Sequence, residues 1–542
     1  MNTKKQIGSY YTPDFLAQFI MDYIAPNFSG KKYLSILEPS VGDGSFIKSF
    51  NRTTFPDSIK HFSFQAVEKV TAELRLAEIQ ANTQRKKNTK FSFIRSDFLK
   101  YQSSVNRRFG FIVGNPPYIR KSLLKKVQVE QCKSIHDRAG LSDASVKNIW
   151  SSFIIACSNL LTDDGILSFV LPSELLQVTF SESLRTYLLF HFECIEIFTF
   201  DELMFEQIGQ DTVILTCYKK SIRKGQFYAH ISDRKQLINR SFLLGSNEPL
   251  VKSEIKWTHH FLLSEEIELL VKLRTKLPRI TEYCKSKPGI VTAANKYFIV
   301  NENTEKTFNL SQFTRPIIQK GLFVNGSVVF DGDALAELLN DGRPTKLICF
   351  PARTESSFDS QVRLYLKQGK SELIHERYKC SKRSKWFVVP NIEEPPQGFF
   401  FKRCHFYPKL LKNEANVLVT DSGYKIEMLN REKIENLIFS FYNSLTLAFA
   451  ELEGRYYGGG VLELTPKEFK KLPIPFLKIN DVSFKKFRGI FEKKSSIDDV
   501  LNQYDAFILN TSLGLSNEEI EKIKSIMHKL VAKRFRNTLK KM

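Results

Sequence analysis

Across the first ~220 residues, short apolar runs rich in β-branched and aromatic side chains alternate with stretches of helical periodicity such as TAELRLAEIQ, and few folds accept that alternation. Strands are expected at Ser35–Pro39, Phe62–Val67, Phe91–Arg95, Phe111–Gly114, Ile166–Leu171, Cys194–Phe200 and Thr212–Tyr218. Runs this short and apolar suit a mostly parallel sheet covered on both faces, an α/β architecture. Too few residues separate the last two runs for a helical crossover. They are expected to form an antiparallel hairpin at the sheet edge.

Charge narrows the class of partner. Lys and Arg number 80 against 58 Asp and Glu, a net charge of +22. Such an excess favours a polyanion through counterion release, without telling DNA from RNA. No apolar run approaches the ~18 residues of a membrane helix, and the opening MNTKKQIGSYYTP lacks a secretory core. A cytoplasmic protein with no membrane partner is expected. Eight cysteines are scattered without a CxxC pair, so no metal site is expected.

In an open parallel sheet, ligands sit beyond the carboxyl ends of the strands. The first expected strand ends in ILEPSVGDGSF, with Glu38, Gly42 and Gly44. The second ends in QAVEK, with Glu68, and the third in IRSDF, with Asp97 and Phe98. Each acid alone could cap a helix and each glycine serve a turn. In sequence order they describe one acidic edge. A dinucleotide site wants GxGxxG, and here the third glycine is missing. An acidic pocket suits a ligand with an ammonium group and free hydroxyls, and S-adenosylmethionine (SAM) has both, plus a sulfonium. Glu68 is placed to accept from the ribose hydroxyls and Asp97 from the adenine amine, with Phe98 flanking the ring.

The fourth strand ends abruptly in GNPPY. Pro116 and Pro117 remove two backbone donors and favour an extended path. The Pro116 carbonyl is thereby held beside the side-chain oxygen of Asn115. Together they offer two acceptors to an exocyclic amine, and Tyr118 can stack on the ring that carries it. Two such hydrogen bonds would point the nitrogen lone pair at a methyl donor. A site for a base turned out of its helix is expected here.

The order GSYYTP, ILEPSVGDGSF, AVEK, SDF, GNPPY, then SDASVKNIWSSF, GILSFVLPSELL and TFDELMFEQIGQDTVIL, resembles the gamma class of N6-adenine DNA methyltransferases. These belong chiefly to type II restriction–modification systems, with TaqI methyltransferase the type example. Weaker similarity continues in KPGIVTAANKYFIV and GRYYGGGVLELTPKEFKKLPIP. The resemblance implies a Rossmann-like, seven-stranded, SAM-dependent methyltransferase domain, a mixed α+β target recognition domain and a helical tail. It implies site-specific methylation of adenine N6 in double-stranded DNA by base flipping, alongside a separate restriction endonuclease. Tyr11, Thr12, Glu38, Pro39, Ser40, Gly42, Gly44, Glu68, Asp97, Phe98 and Asn115 carry over to the cofactor, with Thr12 and Pro13 opening a helix near its methionine end. Asn115, Pro116, Pro117 and Tyr118 carry over to catalysis. Phe205, in LMFEQIG, falls where the family places a second aromatic against the base, and core packing competes for it.

The expected organisation is a catalytic domain at 1–225, a polar connector at 226–255, a DNA target recognition domain at 256–478 and a basic helical tail at 479–542. Basic and aromatic residues interleave in the third segment, as in KRSKWF and FFFKRCHFYPK. A monomer is expected. An RNA adenine methyltransferase and a non-catalytic DNA-binding specificity subunit stand as alternatives.

Overall fold

The computed structural model describes residues 11–177, 181–202, 204–205, 211–246, 257, 261–324, 326–457 and 460–539. The chain divides into two compact units, one made of Met1–Ile267 with Arg536–Met542 and the other running Glu268–Phe535.

The first unit is built on nine described strands: β1 (Tyr33–Glu38), β2 (His61–Glu68), β3 (Thr89–Arg95), β4 (Phe109–Gly114), β5 (Leu161–Pro172), β6 (Cys194–Phe200), β7 (Thr212–Tyr218), β8 (Gly225–Ile231) and β9 (Gly245–Ser246). Helices α1 (Asp14–Ile24), α2 (Ser45–Arg52), α3 (Thr71–Asn82), α4 (Phe98–Tyr101), α5 (Lys126–Arg138) and α6 (Ile149–Asn159) accompany its first half. All seven expected strands are present, in the order β3-β2-β1-β4-β5-β7-β6, and the sheet continues through β8 and β9. The order reverses between β1 and β4, whose parallel pairing sets Ile36 opposite Phe111. That reversal is where doubly wound sheets open a crevice.

Two expectations change here. β6 and β7 pair antiparallel, but they are not the sheet edge, because β8 adds in parallel to β6. The segment expected as a connector at 226–255 therefore begins inside the sheet. Its GQFYAHI run reads as polar, yet four of its seven residues are buried, at alternating and then adjacent positions.

The core beneath the crevice is aromatic. Phe50 on α2 meets Phe62, Phe64 and Phe91 with ring centroids 5.3–6.1 Å apart. α1 buries Leu16, Phe19, Ile20 and Ile24. The helix begins one residue later than expected, with Pro13 as its cap: the Pro13 carbonyl accepts from the Leu16 and Ala17 amides at 2.9 and 3.1 Å. Proline suits this place because it has no amide hydrogen to leave unpaired.

The second unit is mixed, with described sheets of five, four and three strands among short and long helices. The stretch expected as a separate tail belongs to it as far as Phe535. Phe487 and Phe491, spaced one helical turn apart on Asp481–Lys493, pack on Phe439 and Tyr442. The final helix, Asn517–Leu539, opens with the expected reciprocal cap. The Ser516 amide donates to Glu519 Oε2 at 2.9 Å, and the Glu519 amide to Ser516 Oγ at 3.2 Å.

Candidate active site

Beyond the carboxyl ends of β1–β4 lies a cleft of about 860 Å³, counting its open mouth. Tyr11, Thr12, Glu38, Pro39, Ser40, Gly42, Glu68, Asp97, Phe98, Asn115, Pro116, Pro117 and Tyr118 all line it. Residues far apart in sequence meet here because parallel strands end at one edge.

The loop after β1 turns tightly. Gly42 has φ 53° and Gly44 φ 85°, both in the left-handed region. The Gly42 amide donates to Glu68 Oε2 at 3.2 Å, while Glu68 Oε1 accepts from the Lys69 and Val70 amides, each at 2.9 Å. The Glu68 carboxylate thus spans the ends of two strands and is fixed in orientation before any ligand is met.

Gly44 has a different role from the expected one. It is not among the residues lining the cleft, and a Cβ there would stand 2.8 Å from the Ala77 Cα on α3. It lets two helices approach. Gly44→Ala should destabilise the fold by at least about 1–2 kcal/mol from the left-handed backbone alone, with the clash added. Denaturant unfolding measures this, and an unchanged midpoint would contradict it.

Glu38 is 1 % exposed, and its Oε2 has no hydrogen-bond partner among the described residues. Burial, then the nearby charges of Asp43 and Glu68, push its carboxyl well above the usual carboxylate range. A buried acceptor without a donor is costly in isolation, and cleft residues commonly carry such strain. Tyr11 stands at the mouth and donates its hydroxyl to Glu73 Oε1 at 2.8 Å, which raises its pKa to about 12.

Asp97 caps α4 by accepting from the Leu99 amide at 3.0 Å. Its other oxygen accepts from Gln128 Nε2 at 2.8 Å. The Phe98 ring is buried against Phe153, centroids 4.9 Å apart. Gln128, Ile149 and Phe153 also line the cleft, and reading strand ends misses them because they come from helices α5 and α6. The only local signal for Gln128 is its capping position three residues after Lys125.

At the end of β4, Asn115 is half-buried and Pro116 buried. The Ser40 hydroxyl donates to the Asn115 backbone carbonyl at 3.2 Å and joins the loops after β1 and β4. The Tyr118 hydroxyl donates to the Val170 carbonyl on β5 at 3.1 Å, which pins the ring at the cleft wall.

Phe205 is a correction. It is absent from the cleft lining and 5 % exposed, within the same apolar core as Phe198 and Phe200. Burial of a large ring explains that placement. Residues 206–210 beside it lie outside the described residues.

Comparison with known proteins then fixes the class. Residues 31–205 match the family described as Eco57I restriction-modification methylase, and residues 254–509 match the C-terminal domain of type II methyltransferase M.Eco57I. The chain is a type II restriction–modification DNA methyltransferase. The methyltransferase is 24 % identical to type II methyltransferase M.AccI of Acinetobacter calcoaceticus, over 97 % of this chain and 93 % of that one. It is 22 % identical to M.BstVI of Geobacillus stearothermophilus, over 72 % and 76 %. Among solved structures, the type IIL restriction-modification enzyme MmeI in complex with DNA shares the fold at a TM-score of 0.60 and 13 % identity, covering 98 % of this chain and 80 % of that one.

The methyl donor of this methyltransferase is S-adenosylmethionine. The cleft fits it: the unpartnered Glu38 oxygen suits an ammonium group, and the fixed Glu68 carboxylate suits hydroxyl donors. Among the described residues, no group of three or more His, Cys, Asp or Glu could hold a metal ion. None of the described helices is long and apolar enough to cross a membrane.

Proposed function

We propose that the protein methylates the N6 amino group of adenine in double-stranded DNA at a specific sequence, with the base turned out of the duplex into the cleft. The observation that carries this reading is the position of Asn115, Pro116 and Tyr118 at the strand-order reversal, tied by Ser40 to the acid-lined loop after β1.

S-adenosylmethionine, when bound, supplies an electrophilic methyl on its sulfonium. Glu38 would accept from its ammonium, Glu68 from its ribose hydroxyls, and Asp97, which now accepts from Gln128, from its adenine amine. Thr12, Pro39 and Ser40 complete the wall beside the methionine end. Asn115 Oδ1 and the Pro116 carbonyl accept the two hydrogens of the target amine. Neither Pro116 nor Pro117 has an amide hydrogen to compete for those acceptors. The amine lone pair, freed from delocalisation into the ring, is then aimed at the donor.

Extruding the base costs a few kcal/mol of stacking and pairing. The pinned Tyr118 ring returns roughly 1–3 kcal/mol by stacking. Tyr118→Ala should therefore lower kcat/KM for DNA by roughly 5- to 150-fold while SAM affinity holds. Equal loss in both, measured by steady-state kinetics and calorimetry, would remove Tyr118 from the base site.

The second unit would select the sequence. A cognate endonuclease on another chain is the inferred partner, with the methyltransferase acting as a monomer on one strand at a time. The deciding experiment is incubation with plasmid DNA and methyl-labelled SAM, then digestion to nucleosides. Label in N6-methyladenine supports the proposal. Label in cytosine, or transfer only to RNA, overturns it.

A further inference from the structure

The opposite end of the same sheet carries a feature that methyl transfer does not use. A sheet wound on both sides should be apolar on both faces. On β2 the alternation His61-Phe62-Ser63-Phe64 puts the phenylalanines into the core and the polar residues on the other face. Ser63 lies opposite Lys90 on β3, and Tyr33 opposite His61. The only helical segments between β3 and β4 are α4 and the turn Gln102–Ser104; Ser63 is buried beneath Arg107, while Tyr33, His61 and Lys90 at this end are exposed. Among the described residues β3 pairs with β2 alone, as an edge strand.

The hollow at the amino ends of these strands is lined by Tyr33, His61, Arg85, Lys87, Lys90 and Arg107, among others, and by no carboxylate. Arg107 donates to Ser63 Oγ at 3.0 Å and Arg85 to the Thr89 carbonyl at 2.8 Å. Both guanidiniums are held in place by neutral groups, and each also lies over a ring, Arg85 on Phe91 and Arg107 on Phe109. Lys87 and Lys90 are exposed, and neither forms an ion pair among the described residues. Tyr33 adds a ring that is 52 % exposed. Fixed arginines, free lysines and an open aromatic on a polar sheet face are the chemistry that holds a sugar–phosphate backbone. A strand of six residues spans ~20 Å, so this surface is about that far from the cleft.

We propose that this face is a second, sequence-independent DNA-binding surface that grips phosphates at the end of the sheet remote from the methyl-transfer cleft. It rests on the reading that the chain acts on DNA, but not on which base is modified.

The test uses the full chain with Lys87→Ala and Lys90→Ala combined, and a control of equal charge loss at two exposed lysines outside this hollow, Lys220→Ala with Lys235→Ala. Affinity for a short labelled duplex of random sequence is measured across a salt series. Each lost phosphate contact should flatten the slope of log K against log salt by about 0.9. The Lys87/Lys90 variant should thus be shallower by about 2, and several-fold weaker at low salt, while the control keeps the wild-type slope. Its melting temperature and its methylation of plasmid DNA at low salt should match wild type, which separates this proposal from the methyl-transfer reading. An unchanged slope, equal loss in both variants, or capture of polyglutamate by this surface with no change toward DNA would each overturn it.

Discussion

Asn115→Ala is expected to lower kcat for methyl transfer by about 10²–10³-fold, the usual cost of removing one pre-aimed polar group from a reacting centre. SAM affinity should stay within a few-fold, because Glu38, Glu68 and Asp97 make the proposed cofactor contacts. The alanine removes the acceptor that draws one amine hydrogen out of the ring plane and leaves the Pro116 carbonyl alone to orient the nitrogen. The backbone carbonyl that receives the Ser40 hydroxyl survives the substitution, so the loop keeps its anchor. Single-turnover rates and cofactor calorimetry on the same preparation check this. A full-speed Asn115→Ala enzyme would leave the proposed chemistry without its centre.

Glu38→Gln should move two properties in opposite directions. Burial holds the Glu38 carboxyl well above its unfolded-state range in the ligand-free protein. For a group raised in this way, the stabilising contribution is complete below the unfolded pKa and is lost as pH rises through the folded one. At neutral and alkaline pH, the neutral amide should therefore melt no lower than wild type. Cofactor affinity should fall, because a charge-assisted hydrogen bond to an ammonium is worth about 1.5–3 kcal/mol, or roughly 10- to 150-fold in Kd. In wild type the same group makes SAM binding weaken as pH drops and the carboxylate takes up a proton. The glutamine variant should lose most of that pH dependence. Calorimetry from acid to alkaline pH reads both effects, and a variant that binds as tightly as wild type at alkaline pH would exclude Glu38 from the ammonium site.

What could be read from the chain alone follows a physical divide. Strands β1–β7 announce themselves because a buried parallel strand is a compact apolar run. The residues after each run meet because parallel strands share one carboxyl edge. Thirteen of the expected site residues, taken from strand ends and from the family resemblance together, line one cleft, from Tyr11 to Tyr118. Gly44 and Phe205 do not, for different reasons. A glycine needed for a tight helix approach has the same letter as one needed for a ligand, and only the 2.8 Å to Ala77 separates them. Phe205 is apolar enough to serve a core or a base, and neighbours distant in sequence decide. Gln128 was silent because it reaches Asp97 across 31 residues from another helix. The helices from Asp481 onward looked like a solvated tail by charge. Phe484, Phe487 and Phe491, at spacings of three and four, form the apolar stripe that seats them.

The hydroxyl of Ser40, resting on the main chain of Asn115, works as a latch between two compartments of one cleft. Shortening Ser40 to alanine would untie the two loops while leaving every carboxylate of the cleft and the Asn115 amide in the chain.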